Sequence, residues 1–461
     1  MKIKIACVCI LTLLLGWGSR CYANFDLAMK HYSDGDYAVA LKEFKYLASI
    51  GISGAQFNLG VMYYRGQGVE QDIPLAYAWM YMAGTSDESK WRKVAAKVYA
   101  TLSEQEKQQA DKRKSELESK YGKAALEVAL APEYTSDLGH GEDYKILKKT
   151  VPQYPRTMRF IGKVGWVDVM YSIAKDGTTR NQQVLSSSDE DFSKPTVEAI
   201  KQWIYKPAEV NGKPVEVHGV TNRFVYSLEG VEISQKRIAN LVKMGREKAV
   251  SGNALDTYRF ANFLSGVHNF SEQALSVQSP NYWYFKAAKS GFGPAEFKLG
   301  QNMLVGKYCS ADVPKSLDWL YRSANHNYTE AQYFLAIEML SGARLKKDIP
   351  TAISWLTTAS ELGNNLARLK LAWIMSTSSD KKLLNPETAS NLFKQVSESY
   401  TDQITYLEVG AAVHAINGDF KGAVQYQTGA LNEVKRLKLP ETPYKEKLSA
   451  YQARRAWSEE L

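Results

Sequence analysis

Ala295-Glu296-Phe297-Lys298-Leu299-Gly300 and Ala331-Gln332-Tyr333-Phe334-Leu335-Ala336 carry one pattern 36 residues apart. Asp312-Val313-Pro314 returns as Asp348-Ile349-Pro350 at the same offset, Trp319 returns as Trp355, and Ala324 nearly so as Ala359. Ala367, Leu371 and Ala372 begin a further copy. Unrelated landmarks holding one offset mark an internal repeat, in which each short unit buries its apolar face only against its neighbours.

The clearest single copy lies nearer the N-terminus. It reads Ala55-Gln56-Phe57-Asn58-Leu59-Gly60, then Tyr63-Tyr64-Arg65-Gly66-Gln67-Gly68-Val69, then Asp72-Ile73-Pro74, and closes with Ala76, Trp79 and Ala83-Gly84. These residues resemble the Sel-one-like repeat, a relative of the tetratricopeptide repeat. The resemblance implies helix, Gly-rich turn, helix in each unit, with Ala and Gly where the helices approach and Trp filling the gap between units. Pro just inside the second helix costs no backbone donor there. Gly66-Gln67-Gly68 follows a helix pattern rather than a strand and lacks a third glycine, so it reads as a turn and not as a nucleotide-binding loop. Asp312 and Asp348 travel with the repeat and read as turn or cap residues, not as a catalytic pair.

Helix pairs extend the pattern on both sides. Leu27 to Tyr32 and Tyr37 to Ser49 flank a Ser33-Asp34-Gly35-Asp36 turn. Ser103-Glu104-Gln105-Glu106 is a capping box that opens a helix to about Lys120. Ala411 to Ile416 and Ala423 to Leu437 form another pair, and Lys447 to Trp457 reads as a terminal, capping helix. The stretch from Val231 to Phe263 reads either as a rigid arm or as a packed part of the later block.

Between Pro152 and Tyr226 the texture changes to strands. Val164 to Ile173 is rich in β-branched and aromatic residues, Lys175-Asp176-Gly177-Thr178 is a hairpin turn, and Gln182 to Leu185 returns. Phe192 to Trp203 is an amphipathic helix, Asn211-Gly212-Lys213-Pro214 a turn, and Gly219 to Leu228 a last strand. The pattern predicts a small antiparallel sheet with one helix packed on it. Pro152-Gln153-Tyr154-Pro155, Gly165-Trp166-Val167, Asp176-Gly177, Val184-Leu185-Ser186-Ser187-Ser188, Trp203-Ile204-Tyr205-Lys206-Pro207-Ala208 and Asn211-Gly212-Lys213-Pro214-Val215, in this order, resemble the C-terminal domain of TonB-family energy transducers.

That resemblance implies docking of a short peptide from an outer-membrane receptor as an added strand near the Gln-Tyr-Pro segment. Carried onto this chain, the partner-binding residues are Gln153, Tyr154 and Pro155, with Thr221, Arg223 and Val225 on the edge strand. Tyr154-Pro155 reads equally well as an entry segment packed on the helix. Classical family members have an uncleaved membrane helix and a Pro-rich spacer, whereas this chain has a short leader that reads as cleavable and helical repeats in place of the spacer. The departure weakens the case for contact with an inner-membrane motor.

The rest of the composition bounds the answer. The chain has 461 residues, too many for one ordinary core, and 45% of them are apolar, as in a globular protein. Tyrosine is abundant, which suits packing between helices as well as binding faces. Lys2 and Lys4, the apolar run from Ile5 to Trp17, and Cys21 and Ala23 before Asn24 have the layout of a secretory signal peptide. Arg20 beside Cys21 argues against lipidation. Cleavage would leave Cys309 as the one cysteine, so no internal disulfide is expected. It would also lower the formal charge from +9 by the three cations Lys2, Lys4 and Arg20, leaving a mildly basic protein without a nucleic-acid patch.

The sequence therefore divides into a signal peptide (1–23), helical repeats with a charged helix (24–130), a linker (131–149), a TonB C-terminal-like domain (150–228), and a helical linker, repeats and cap (229–461). The fold class is mostly α, a Sel-one-like and tetratricopeptide-like α-solenoid in two blocks flanking one small α+β insert. No metal-ligand spacing, nucleophile elbow, Walker motif or Cys-x-x-Cys pair occurs, and neither enzyme activity nor a cofactor nor a small-molecule substrate is expected. The expected protein is periplasmic, with an inner-membrane-anchored form as the alternative. It would bind proteins or peptides of the cell envelope, outer-membrane TonB-dependent receptors among them, with the repeats as a second interaction surface. The other reading is an envelope scaffold or stress regulator that acts through its repeats.

Overall fold

The computed structural model describes residues 24–85, 89–135, 144–228, 235–267, 278–397, 399–400 and 402–461. The signal peptide, residues 136–143 of the linker and the start of the Val231–Phe263 stretch lie outside the described residues. The chain forms two compact units, one of residues 24–49 and 53–110 among those described, the other of 50–52 and 111 onward.

The first unit holds α1 (Phe25–Ser33), α2 (Tyr37–Ser49), α3 (Ser53–Arg65), α4 (Ile73–Ala83) and α5 (Ser89–Ala100), and α6 (Glu104–Tyr121) begins in it. Asp72 caps α4 by accepting from Leu75 N at 2.9 Å, and Pro74 sits in the first turn. Gly60 lets α3 lie on α4, since a Cβ there would stand 2.7 Å from Met80 Cγ. The capping box before α6 is reciprocal: Glu106 Oε2 accepts from Ser103 N at 2.8 Å, and Ser103 Oγ from Glu106 N at 3.4 Å.

In the second unit, after α7 (Lys123–Ala129), comes the sheet domain. It runs β1 (Ile146–Lys148), α8 (Arg156–Phe160), β2 (Gly165–Ile173), β3 (Thr179–Ser187), α9 (Glu190–Ile200), β4 (Ile204–Tyr205), β5 (Ala208–Val210), β6 (Lys213–Val215) and β7 (Val217–Tyr226). The main sheet is antiparallel in the order β3-β2-β7, with two-stranded pairs β1-β4 and β5-β6 beside it. Residues 146–148, read from sequence as linker, are thus a strand of this domain, held by Ile146 opposite Tyr205 and Lys148 opposite Ile204.

The repeats follow as α10 (Gln235–Ser251), α11 (Ala254–Val267), α12 (Pro280–Ala288), α13 (Gly293–Val305), α14 (Val313–Asn325), α15 (Thr329–Ser341), α16 (Ile349–Glu361), α17 (Asn365–Thr377), α18 (Pro386–Lys394), α19 (Gln403–Ile416), α20 (Phe420–Arg436) and α21 (Thr442–Gln452). Asp312 and Asp348 cap α14 and α16 through Lys315 N (3.0 Å) and Thr351 N (3.1 Å). The residue after the repeat's first Ala ties each unit to the one before it. Gln56 Nε2 donates to Ala48 O at 3.2 Å, and Gln332 Nε2 to Ala324 O at 2.9 Å. Its equivalent Glu296, fully buried, accepts from Arg322 Nε at 3.1 Å and pairs with His326 Nδ1 at 2.7 Å. Trp319 and Trp355 are buried between helices.

One expectation shifts and one open alternative is decided. The terminal helix starts earlier than Lys447, with Pro443 in its first turn, and ends at Gln452 rather than Trp457: Arg454 takes a left-handed φ of +56, and the chain runs back to α17, where Glu459 N donates to Thr377 O at 2.8 Å. The Val231–Phe263 stretch, where described, is two packed helices rather than an arm. Ile238, Val242 and Ala249 of α10 and Phe260, Ala261 and Leu264 of α11 share one core with Trp283, Leu299 and Trp319.

Candidate functional site

β2 has two faces, and each is covered. Val167, Val169, Tyr171 and Ile173 form the domain's core with Phe192, Ile200 and Trp203. Trp166, Asp168, Met170 and Ser172 face the repeats of the same unit. The Trp166 ring lies 6.4 Å from Phe263 of α11, and Met170 Sδ lies 3.7 Å from Gln301 Nε2 of α13. Asp168 grips Arg223 of β7 through Nε (2.7 Å) and Nη2 (2.6 Å), and Arg223 Nη1 reaches on to Ser265 O of α11. Ser172 Oγ shares a 2.8 Å hydrogen bond with His218 Nδ1, whose ring stands edge-on to Tyr333 of α15 at 4.8 Å. This side of α11, α13 and α15 is therefore filled by the chain's own sheet.

The edge of β7 is a different matter. Among the described residues β2 is the one strand bonded to β7, in an uninterrupted register from Gly165 opposite Tyr226 to Tyr171 opposite Val220. Trp166 turns both backbone groups towards β3: its N–H donates to Ser188 Oγ at 2.9 Å and its C=O accepts from Ser188 N at 3.0 Å. Strand alternation then makes Trp166 and Val225 a non-hydrogen-bonded pair, so Val225 directs its N–H and C=O away from β2. The same parity applies to Arg223 and Thr221. Among the described residues none of the three makes a backbone–backbone hydrogen bond on that side.

The three edge residues chosen from sequence thus offer their backbone groups outward, while their side chains point to the repeat-facing side. Arg223 is engaged there, and Thr221 and Val225 are exposed. Tyr154 packs against Phe192 and Tyr226 with centroids at 5.8 and 5.4 Å, and its hydroxyl donates to Lys163 O. It is a packed entry segment at the Tyr226 end of the edge. Pro155 precedes α8 as its cap residue, and Gln153 is exposed. Phe160 and Ile161, 92% and 63% exposed, lie just before β2 begins at Gly165, opposite Tyr226.

At its other end the edge opens into a groove of about 270 Å³, lined by Gly219 to Asn222 and by Lys298, Gln301 and Lys307 among others. Gly219 (φ +83) closes that end, because a Cβ on it would lie 2.6 Å from the Phe334 ring. A neighbouring cavity of about 40 Å³ shares Thr221, Asn222, Lys298, Gln301 and Lys307. Sequence reading missed these three repeat residues. The one signal was Lys298 itself, a charge where the next copy has Phe334 and the first copy Asn58. A larger cavity of about 410 Å³ lies between the β2–β3 turn and α17, α19 and α21, but its main charges are already paired: Lys370 with Glu216 at 2.7 Å, Lys447 with Glu408 at 2.6 Å.

Known families match in the same places. Residues 150–228 match the Gram-negative bacterial TonB protein C-terminal family, and 53–87, 293–328 and 329–364 match the Sel1 repeat. Protein TonB of Vibrio cholerae is 42% identical over 82 residues, which are 17% of this chain and 32% of that protein. The chain so spans about a third of the length of this curated relative. Among solved structures, a protective antigen of uropathogenic Escherichia coli displaying an SLR fold is 16% identical, with 93% of this chain and 79% of that one covered and a TM-score of 0.32. The TonB C-terminal domain of Pseudomonas aeruginosa is 30% identical, covering 20% of this chain and 94% of that one, with a TM-score of 0.18. No described helix is long and apolar enough to cross a membrane. From register, core and family matches together, the chain carries a TonB C-terminal domain at residues 150–228, set between Sel1 repeats.

Proposed function

We propose that the chain is a non-enzymatic binding protein of the Gram-negative envelope that takes a partner's peptide as an added strand along β7. The observation that carries this reading is the outward direction of the Thr221, Arg223 and Val225 backbone groups on an outer strand. An open edge of this kind is a template for another chain, and main-chain bonds supply its affinity. The exposed Phe160, Ile161 and Val225 give apolar contacts at one end of the edge. The TonB-type domain supports an envelope site of action, and receptors of the outer membrane are the partners that this likeness favours.

The test is a proline at the edge. Val225→Pro deletes an outward N–H without removing a bond to β2, a position where strands tolerate proline. Peptides selected on the full chain from a phage-displayed random dodecapeptide library, then synthesised, should bind this variant at least about ten-fold more weakly. Unchanged affinity overturns strand addition and favours a scaffold whose repeats do the binding.

A further inference from the structure

Lys298 and Lys307 stand apart from the other cations of the sheet–repeat seam. Arg223 is held by Asp168, and Arg344 by Glu338 through Nε at 2.8 Å. Neither Lys298 nor Lys307 takes part in an ion pair among the described residues. Both are half-buried, and both line the groove beside β7 and the smaller cavity behind it. The carboxylate whose charge acts on both, Asp168, already has each oxygen on Arg223. Burial, with Lys298 and Arg223 nearby, pushes the Lys307 ammonium down to about 7, and burial lowers Lys298 as well. Two enclosed like charges without a counter-ion are costly unless an anion completes them.

The groove is continuous with the open edge of β7. A peptide seated on that edge brings a carboxylate to the lysines as part of one bound strand. The groove begins at Gly219 to Asn222, so its occupant lies opposite Thr221, at the end of the edge away from Val225.

We propose that the peptide added to β7 presents one acidic side chain, Asp or Glu, opposite Thr221, where Lys298 and Lys307 of the Sel1 repeats hold its carboxylate. This inference rests on strand addition. It gives the repeats a share in choosing the partner: the TonB-type domain supplies the strand edge, and α13 with the turn after it reads the charge. Lys298 and Lys307 lie outside the TonB-type domain, so the specificity belongs to the combined unit.

The experiment uses the full chain and the library-selected peptides. Enriched sequences should share an Asp or Glu at one fixed position. Changing that residue to Asn or Gln should weaken binding to the wild type about ten-fold or more, as expected for a charge-assisted contact. Against Lys298→Gln/Lys307→Gln the same change should have almost no effect. That double variant should melt no lower than the wild type, since it removes an unpaired charge cluster, so loss of fold cannot mimic the result. Peptides that need the Val225 N–H but tolerate Asn at every acidic position would sink the carboxylate site and leave strand addition standing. Selected peptides insensitive to Val225→Pro, or no enrichment at all, would sink both. Tight binding of inorganic phosphate by the free protein, lost in the double lysine variant, would overturn the peptide assignment in favour of a small-anion site.

Discussion

His218 is where acid should loosen the seat of the sheet domain on its repeats. The ring is 1% exposed, shares a hydrogen bond with Ser172 Oγ on β2, and stands edge-on to Tyr333 of α15. Burial pulls its pKa from 6.5 down to about 4; the Arg344 charge adds to the fall and Glu216 opposes it. A base whose folded pKa is depressed stabilises the fold fully above its unfolded pKa, and that contribution drains away as pH falls from 6.5 through 4. The full difference is worth about 3 kcal/mol, and most of it is gone at pH 4.5. Every other titrating group contributes to both proteins, so the measurement is a double difference. Urea unfolding followed by tryptophan fluorescence at pH 7.5 and 4.5 would compare the wild type with His218→Gln, whose amide can still meet Ser172. The variant should lose about 2–3 kcal/mol less on acidification. Equal acid losses would refute a buried neutral His218, as would a ¹³C-labelled ring titrating near 6.5.

Further outcomes follow from the same seam. Gly219→Ala forces a Cβ against Phe334 at a left-handed φ of +83, and should lower stability by about 2 kcal/mol in thermal melts. Arg223→Ala strands the Asp168 carboxylate and cuts the tie to Ser265, costing about 2–3 kcal/mol. Any binding loss in that variant would therefore reflect the seam, whereas Val225→Pro should weaken peptide binding at unchanged melting temperature. Glu296→Gln keeps the shape that Gln332 has one repeat later but leaves Arg322 and His326 short of their carboxylate, and should destabilise by about 3 kcal/mol in urea.

Much of this was legible because repeat geometry writes itself into sequence. The 36-residue offset located the Asp312 and Asp348 caps, the buried Trp319 and Trp355, and the close approach at Gly300, where a Cβ would meet Leu320 at 2.9 Å. Alternation and the Asp176-Gly177 turn located β2, and Thr221, Arg223 and Val225 proved to be the residues of one edge parity. What local pattern cannot carry is contact between distant segments. Nothing near Trp166 or Ser172 announces that their face meets α11 and α15, and no periodicity tells Arg223, whose guanidinium is spent on Asp168, from a free cation. β1 was missed because Ile146–Lys148 is three residues paired to a two-residue strand far along the chain. Nothing local marks Lys307, and Lys298 stands out only as a charge where the next copy has Phe334; the fold is what places both beside β7.

The most direct test is amide hydrogen exchange at β7, measured by NMR on full chain carrying ¹⁵N-labelled Thr, Arg and Val, with and without a selected peptide. The account predicts that Thr221, Arg223 and Val225 exchange fast in the free protein and gain about a hundred-fold protection when the peptide binds, while Val167 inside the ladder is slow throughout. Bound peptide that leaves those three amides fast would contradict it, because the partner would then be held somewhere other than this edge.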